Sequence, residues 1–164
     1  MSQIVIRRFS PQDQSMVEEL ITQVMNAEFH DERAAYPLDD LRNVDASYGE
    51  SGEAFFVAIN SDHEVVGTVG IKKEDARVAL LRRLFVAEPF RNQKVGKKLV
   101  DEAMLFCNAF GYDEVIFKAT SRMKAAAIMC QKSGFIQRAK VHLGPVELLK
   151  FSLLLSAGAK KLKS

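Results

Sequence analysis

The residues best suited to chemistry lie between Arg91 and Lys98, where Arg91, Lys94, Lys97 and Lys98 surround Gly96 with no acid among them. The run follows an apolar stretch, Leu84-Phe85-Val86, and a proline, Pro89, and it opens a segment of helical periodicity. The first amides of a helix lack an internal partner and point outward, and with the helix dipole they form an anion site. A charge placed there gains about 0.3–1 kcal/mol. Gly96 has no side chain to keep an anion from the backbone. Asn92, Gln93, Lys94, Val95, Gly96 and Lys97 are therefore candidates for holding a diphosphate, with the Arg91 charge beside them. The G-x-x-x-x-G-K-[ST] pattern of a nucleotide P-loop is absent, as is the G-x-G-x-x-G of a dinucleotide site. A solvated, lysine-rich helix start is the competing reading of the same residues.

The elements that must position this stretch read in the order βααβββαβαββ. Residues 4–8 begin β-branched and read as a strand. Ser10-Pro11 opens a helix in which Val17, Leu20, Ile21, Val24 and Met25 share one face. Pro37-Leu38-Asp39-Asp40 suggests a second, short helix capped by an aspartate. Residues 54–60, 65–72 and 78–86 form three successive antiparallel strands. A helix over 94–110 buries Val95, Leu99, Ala103, Phe106, Cys107 and Phe110, and Gly111 fits the position past its end. Residues 114–120 form a strand, 123–132 a helix closed by Ser133-Gly134, and 136–141 and 148–155 the last two strands. The crossover from residue 78 to residue 120 makes its two strands parallel if they are neighbours; the rest is antiparallel meander. The expected fold class is α/β (α+β), a mixed, mainly antiparallel sheet of six to seven strands flanked by helices. One domain over 1–156 and a basic, frayed tail over 157–164 account for the chain.

Composition removes several function classes. The net charge of +2 is too balanced to imply a nucleic-acid partner. No apolar run approaches the ~20 residues that span a bilayer, and no leader pattern opens the chain, so the expected location is cytoplasmic. No His, Cys and Asp cluster has metal-ligand spacing, so no metal is expected. Cys107 and Cys130 lie in helical segments without a C-x-x-C pair, as buried reduced thiols do.

The strand–loop–helix around Arg91 resembles the acyl-CoA site of the GNAT superfamily of N-acetyltransferases. That family's signature is Q/R-x-x-G-x-G/A, preceded by a hydrophobic–x–Val strand end and a proline. Arg91 matches its first position, Gly96 its last, and Leu84, Val86 and Pro89 the preceding strand and loop. Ser133-Gly134-Phe135 resembles the Gly-Phe that follows the family's last helix, and the element order matches along residues 3–155. The resemblance implies an acyl-CoA N-acyltransferase fold, acetyl-CoA as cosubstrate, and a small-molecule or peptide amine as acceptor. It implies pairing of the pantetheine arm with backbone near Leu84, Phe85 and Val86, a thioester near Met123, and an oxyanion held by a strand N–H such as that of Val86. A homodimer is an expectation of the same kind.

The signature is not matched throughout. Lys94 replaces its middle glycine, Asn92 stands where a smaller residue is usual, and Met123 takes a position often held by asparagine. Cys130 stands where many members carry the tyrosine that protonates the leaving thiolate. It is the one catalytic candidate, with an apolar filler as the alternative reading. For the general base the candidates are His30, Asp31, Glu32 and Tyr48, each also readable as a solvated loop residue; His63 reads as an exposed turn residue. A non-catalytic acyl-CoA-binding module of the same fold stays open beside the enzyme.

Overall fold

The computed structural model describes residues 3–29 and 38–155. Seven strands pair into one sheet: β1 (Val5–Arg8), β2 (Ala54–Ile59), β3 (Val65–Lys73), β4 (Val78–Val86), β5 (Glu114–Thr120), β6 (Ile136–Leu143) and β7 (Val146–Leu154). Their spatial order is β1-β2-β3-β4-β5-β7-β6. β4 and β5 are the parallel pair, as the long crossover between them requires. The expected meander fails at one place, because β7 returns to sit between β5 and β6. The turn that makes this possible is tight, two residues at Gly144-Pro145, with Gly144 at φ 60°.

β2 is buried along its whole length, as its Ala-Phe-Phe-Val-Ala-Ile sequence demands of a strand covered on both faces. Two glycines of β3 mark those faces. A Cβ on Gly67 would lie 2.9 Å from Leu99 Cδ1, and one on Gly70 would lie 2.8 Å from a ring carbon of Tyr48. α3 (Val95–Phe110) therefore covers one face, while α1 (Gln14–Glu28) and α2 (Val44–Ser47) cover the other. α4 (Lys124–Lys132) packs beside α3.

Local details correct the sequence reading. Pro11 starts a 3-10 turn, Pro11–Asp13, ahead of α1. Its anchor is Asp13, a buried carboxylate that accepts from the Ser10 amide at 2.8 Å and from Arg7 at 2.7 and 2.9 Å. α2 is capped by Asn43, whose side chain accepts from the Ala46 amide at 3.1 Å, and not by an aspartate. Phe110 is 41 % exposed, because the apolar stripe of α3 runs out at its last turn. The expected tail over 157–164 lies outside the described residues.

Candidate active site

β4 and β5 pair from Val78 opposite Glu114 to Leu81 opposite Phe117, and then they part. The cause is a bulge in β4. Its register against β3 shifts between Thr68 and Gly70, and Arg83 takes the left-handed region at φ 55°. A side chain in that region costs about 1–2 kcal/mol. Thr68 holds the bulge by donating its hydroxyl to the Arg83 carbonyl at 2.7 Å.

The Arg83 guanidinium supplies the rest of the anchorage. Its side chain is 1 % exposed and meets the Asp40 carboxylate at 2.5 and 3.0 Å. The Tyr48 hydroxyl donates to the same carboxylate at 2.6 Å. Burial works against the Asp40 charge, but the bonds from Arg83 and Tyr48 outweigh it and hold the carboxyl below its ordinary range. Burial and the Asp40 charge push the Tyr48 hydroxyl upward. The Lys72 ammonium sits 5.4 Å over the Tyr48 ring. Tyr48, a candidate base in the sequence, is thus a buried clamp, 5 % exposed, and not a solvated loop residue.

Where the strands part, a cleft of about 220 Å³ opens, lined by Leu80, Arg82, Leu84 and Phe85 from β4 and by Ile116 and Lys118 from β5, with Met123 and Ala126 behind. The Ala87 amide bonds back to the Val66 carbonyl at 2.8 Å. By the alternation of a strand, the polar groups of Val86 then face the side that β5 has left. Of these two groups the Val86 carbonyl already accepts from Arg91 Nε, at 2.9 Å.

The helix start beyond the cleft keeps its expected place. Lys94 precedes α3 at φ 64° without a side-chain cap, and the first bond that closes the helix runs from the Lys98 amide to the Lys94 carbonyl at 3.1 Å. The amides of Val95, Gly96 and Lys97 come before that bond and have no partner in the helix. Asn92 also stands at φ 64°. Two left-handed residues thus turn the loop, a task that a glycine would do without strain.

Three expectations about this segment change. A Cβ on Gly96 would meet Met129 Cε at 3.2 Å and Val86 Cγ2 at 3.7 Å, so the glycine also lets α4 approach. Arg91 is matched by Glu28 at the end of α1 through two bonds of 2.7 Å, which raise its pKa further. Lys97 pairs with Asp101 at 2.7 Å on the exposed side of α3. Of the four basic residues in this run, Arg91 and Lys97 are thus paired with acids.

On α4, Met123 and Ala126 face the cleft, whereas Cys130 is 0 % exposed inside the core. Burial pushes its thiol up to about 12. The geometry favours the apolar-filler reading of Cys130. His30, Asp31 and Glu32 lie outside the described residues, and His63 is an exposed turn residue at φ 62°. Among the described residues, no group of three or more His, Cys, Asp or Glu side chains is placed to hold a metal ion. No helix among them is long and apolar enough to cross a membrane. Sequence reasoning missed the Arg83–Asp40–Tyr48 clamp. Its signal was an arginine at a buried position of an apolar strand, which demands a counter-ion.

Known proteins match this arrangement. A model of the acetyltransferase (GNAT) family matches residues 18–135. A probable N-acetyltransferase, camello, of Xenopus tropicalis is 30 % identical over 121 residues, which cover 73 % of this chain and 55 % of that protein. Human N-acetyltransferase 8 is 33 % identical over 102 residues, 58 % of this chain and 44 % of that protein. The chain spans about half the length of these curated relatives. An acetyltransferase of the GNAT family from Staphylococcus aureus superposes with a TM-score of 0.80 at 23 % identity, covering 94 % of this chain and 100 % of that one. An acetyltransferase from Streptococcus agalactiae does so at 0.79 and 20 %, covering 94 % and 98 %. Both likenesses concern the fold.

Proposed function

The chain belongs to the acetyltransferase (GNAT) family, and from that premise we propose that it transfers an acetyl group from acetyl-CoA directly to an amine. The observation that carries the reading is the gap between β4 and β5, with an uncapped helix start at its open end. When bound, acetyl-CoA supplies an activated thioester. The amides of Val95, Gly96 and Lys97 hold its diphosphate, with Asn92, Gln93 and Lys94 shaping the loop and Arg91 bracing it. The strand edge at Leu84, Phe85 and Val86 receives the pantetheine arm, Met123 packs against it, and the Val86 N–H faces the developing oxyanion.

Direct transfer is supported by the lining of the cleft, in which no cysteine, serine or histidine stands among the described residues. The amine forms its bond to the carbonyl carbon, the C–S bond breaks, and the proton lost by nitrogen reaches sulfur through water. Asp40, held ionised by Arg83 and Tyr48, is too weak a base to take it. Positioning is then the main contribution of the protein. Since only a neutral amine attacks, kcat/KM is expected to rise about ten-fold per pH unit up to the pKa of the acceptor.

Thermal unfolding with acetyl-CoA tests the reading. Ligand at about 100 times Kd stabilises by ~2.7 kcal/mol, a Tm rise of roughly 5–10 °C for a chain of this size. No shift at millimolar ligand sinks the proposal. A shift without CoA release across a broad panel of amines would leave only a binding module.

A further inference from the structure

Between Val65 and Ile71, β3 carries one polar side chain, that of Thr68, and it is 0 % exposed. A valine fills the same volume in a strand, and a buried hydroxyl is costly unless it is bonded. Thr68 spends its hydroxyl on the Arg83 carbonyl, at 2.7 Å. The bond falls on the bulge. Thr68 pairs with Phe85 and Gly70 with Arg82, so Val69 alone faces both Arg83 and Leu84. Arg83 stands there at φ 55°, with its guanidinium held by Asp40. Strain of this kind persists only where the surroundings fix it, and it gathers at functional sites.

The consequence lies at the other end of the same peptide. The Arg83–Leu84 bond is trans, so its carbonyl and the Leu84 N–H point in opposite directions. With the carbonyl held by Thr68 of β3, the Leu84 N–H is turned away from that contact. Strand alternation gives the same answer by a separate route. Val86, two residues on, has its polar groups on the side that β5 has left, and Leu84 shares that side. The strands have parted by this point, since the last matched pair is Leu81 with Phe117. Leu84 lines the cleft together with Met123, whereas Val86 lies nearer the start of α3.

We propose that Thr68 is a positioning residue: by holding the Arg83 carbonyl, its hydroxyl fixes the Leu84 N–H in the gap as a donor to the acyl-pantetheine arm. The inference rests on the transferase reading and adds to it a residue of β3 that touches neither ligand nor reacting atoms. A donor aimed in advance needs no reorganisation when the ligand arrives. Without the hydroxyl, the peptide after Arg83 is free to turn out of its left-handed setting, and the donor loses its aim. The amides of Val95, Gly96 and Lys97 are unaffected, because they belong to the start of α3.

The test follows acetyl-CoA binding by calorimetry and by the amide proton spectrum of the full chain. In the parent protein the Leu84 amide proton is expected to move downfield and to exchange more slowly once acetyl-CoA is bound. Thr68→Val keeps the shape of the side chain and removes the hydroxyl. It is expected to abolish the Leu84 response and to weaken acetyl-CoA by about two- to ten-fold, the worth of one hydrogen bond. The Gly96 amide should still respond. Thr68→Ala removes the hydroxyl without adding a methyl group and serves if valine crowds the bulge. Thr68→Ser keeps the hydroxyl and should restore both the Leu84 response and the affinity. A Leu84 signal that saturating acetyl-CoA leaves in place overturns the inference while the transferase stands. So does a hydroxyl-free variant that binds as tightly as the parent, or a serine variant that binds no better than alanine. A parent protein that acetyl-CoA does not bind loses both readings.

Discussion

The two walls of the cleft are built on different principles. On the β4 wall and its loop, Arg83, Asn92 and Lys94 all stand at positive φ, and buried or half-buried ion pairs tie Arg83 to Asp40 and Arg91 to Glu28. On the β5–α4 wall no described residue from Glu114 to Lys132 stands at positive φ, and Ala119, Ala127 and Cys130 pack in the core. A wall that must leave its neighbour and expose backbone needs specific anchors, since strain persists only where the surroundings fix it. A wall that only supports a ligand needs volume. The difference shows that backbone strain is concentrated on the side that opens the cleft.

The comparison breaks most readily at Asp40. Asp40→Ala leaves the Arg83 guanidinium buried without its counter-ion, at a cost of about 3–5 kcal/mol. That corresponds to a Tm lowered by roughly 6–20 °C in a thermal melt. An unchanged Tm would mean that the clamp does not anchor the wall.

Acid gives a milder form of the same experiment. The folded pKa values of Asp40 and Asp13 lie below the ordinary 3.8. The stabilisation from their charge is therefore complete above that value and is lost as pH falls through the lower, folded pKa. Stability against urea is expected to hold down to about pH 4 and then to drop, less steeply in Asp40→Asn than in the parent protein.

On the packed wall, Cys130→Ala is expected to cost about 1–2 kcal/mol through the small cavity it leaves, with kcat changed by less than about two-fold. Cys130→Ser places a hydroxyl in an apolar site and should destabilise more. A large loss of kcat in the alanine variant, with acetyl-CoA still bound, would restore a chemical role to the thiol. The smallest effect is expected at Lys94→Gly. Relief of the left-handed strain, about 1–2 kcal/mol, is offset by the added freedom of the unfolded chain, about 0.4–1 kcal/mol. The result is a gain between about zero and ~1.6 kcal/mol in a denaturant melt.

Much of the site was legible before the fold was known, because its signals are local. Strand, proline and basic helix start follow one another within sixteen residues, from Leu84 to Leu99. Helix amides are unpartnered wherever a helix begins, whatever surrounds it. The roles of side chains were less legible. Gly96 has a packing role beside Met129 that its local pattern did not announce. Arg91 looked like an open charge and proved to be held by Glu28, from sixty-three residues away in the chain.

By itself the sequence determined most strands and helices, the parallel crossover and the position of the uncapped helix start, since each rests on periodicity and backbone chemistry over a few residues. Only the tertiary structure decided which charges are spent on one another, that β7 inserts beside β5, and that Cys130 faces the core. Those outcomes depend on contacts between distant segments, and no local pattern encodes which distant partner a side chain will meet.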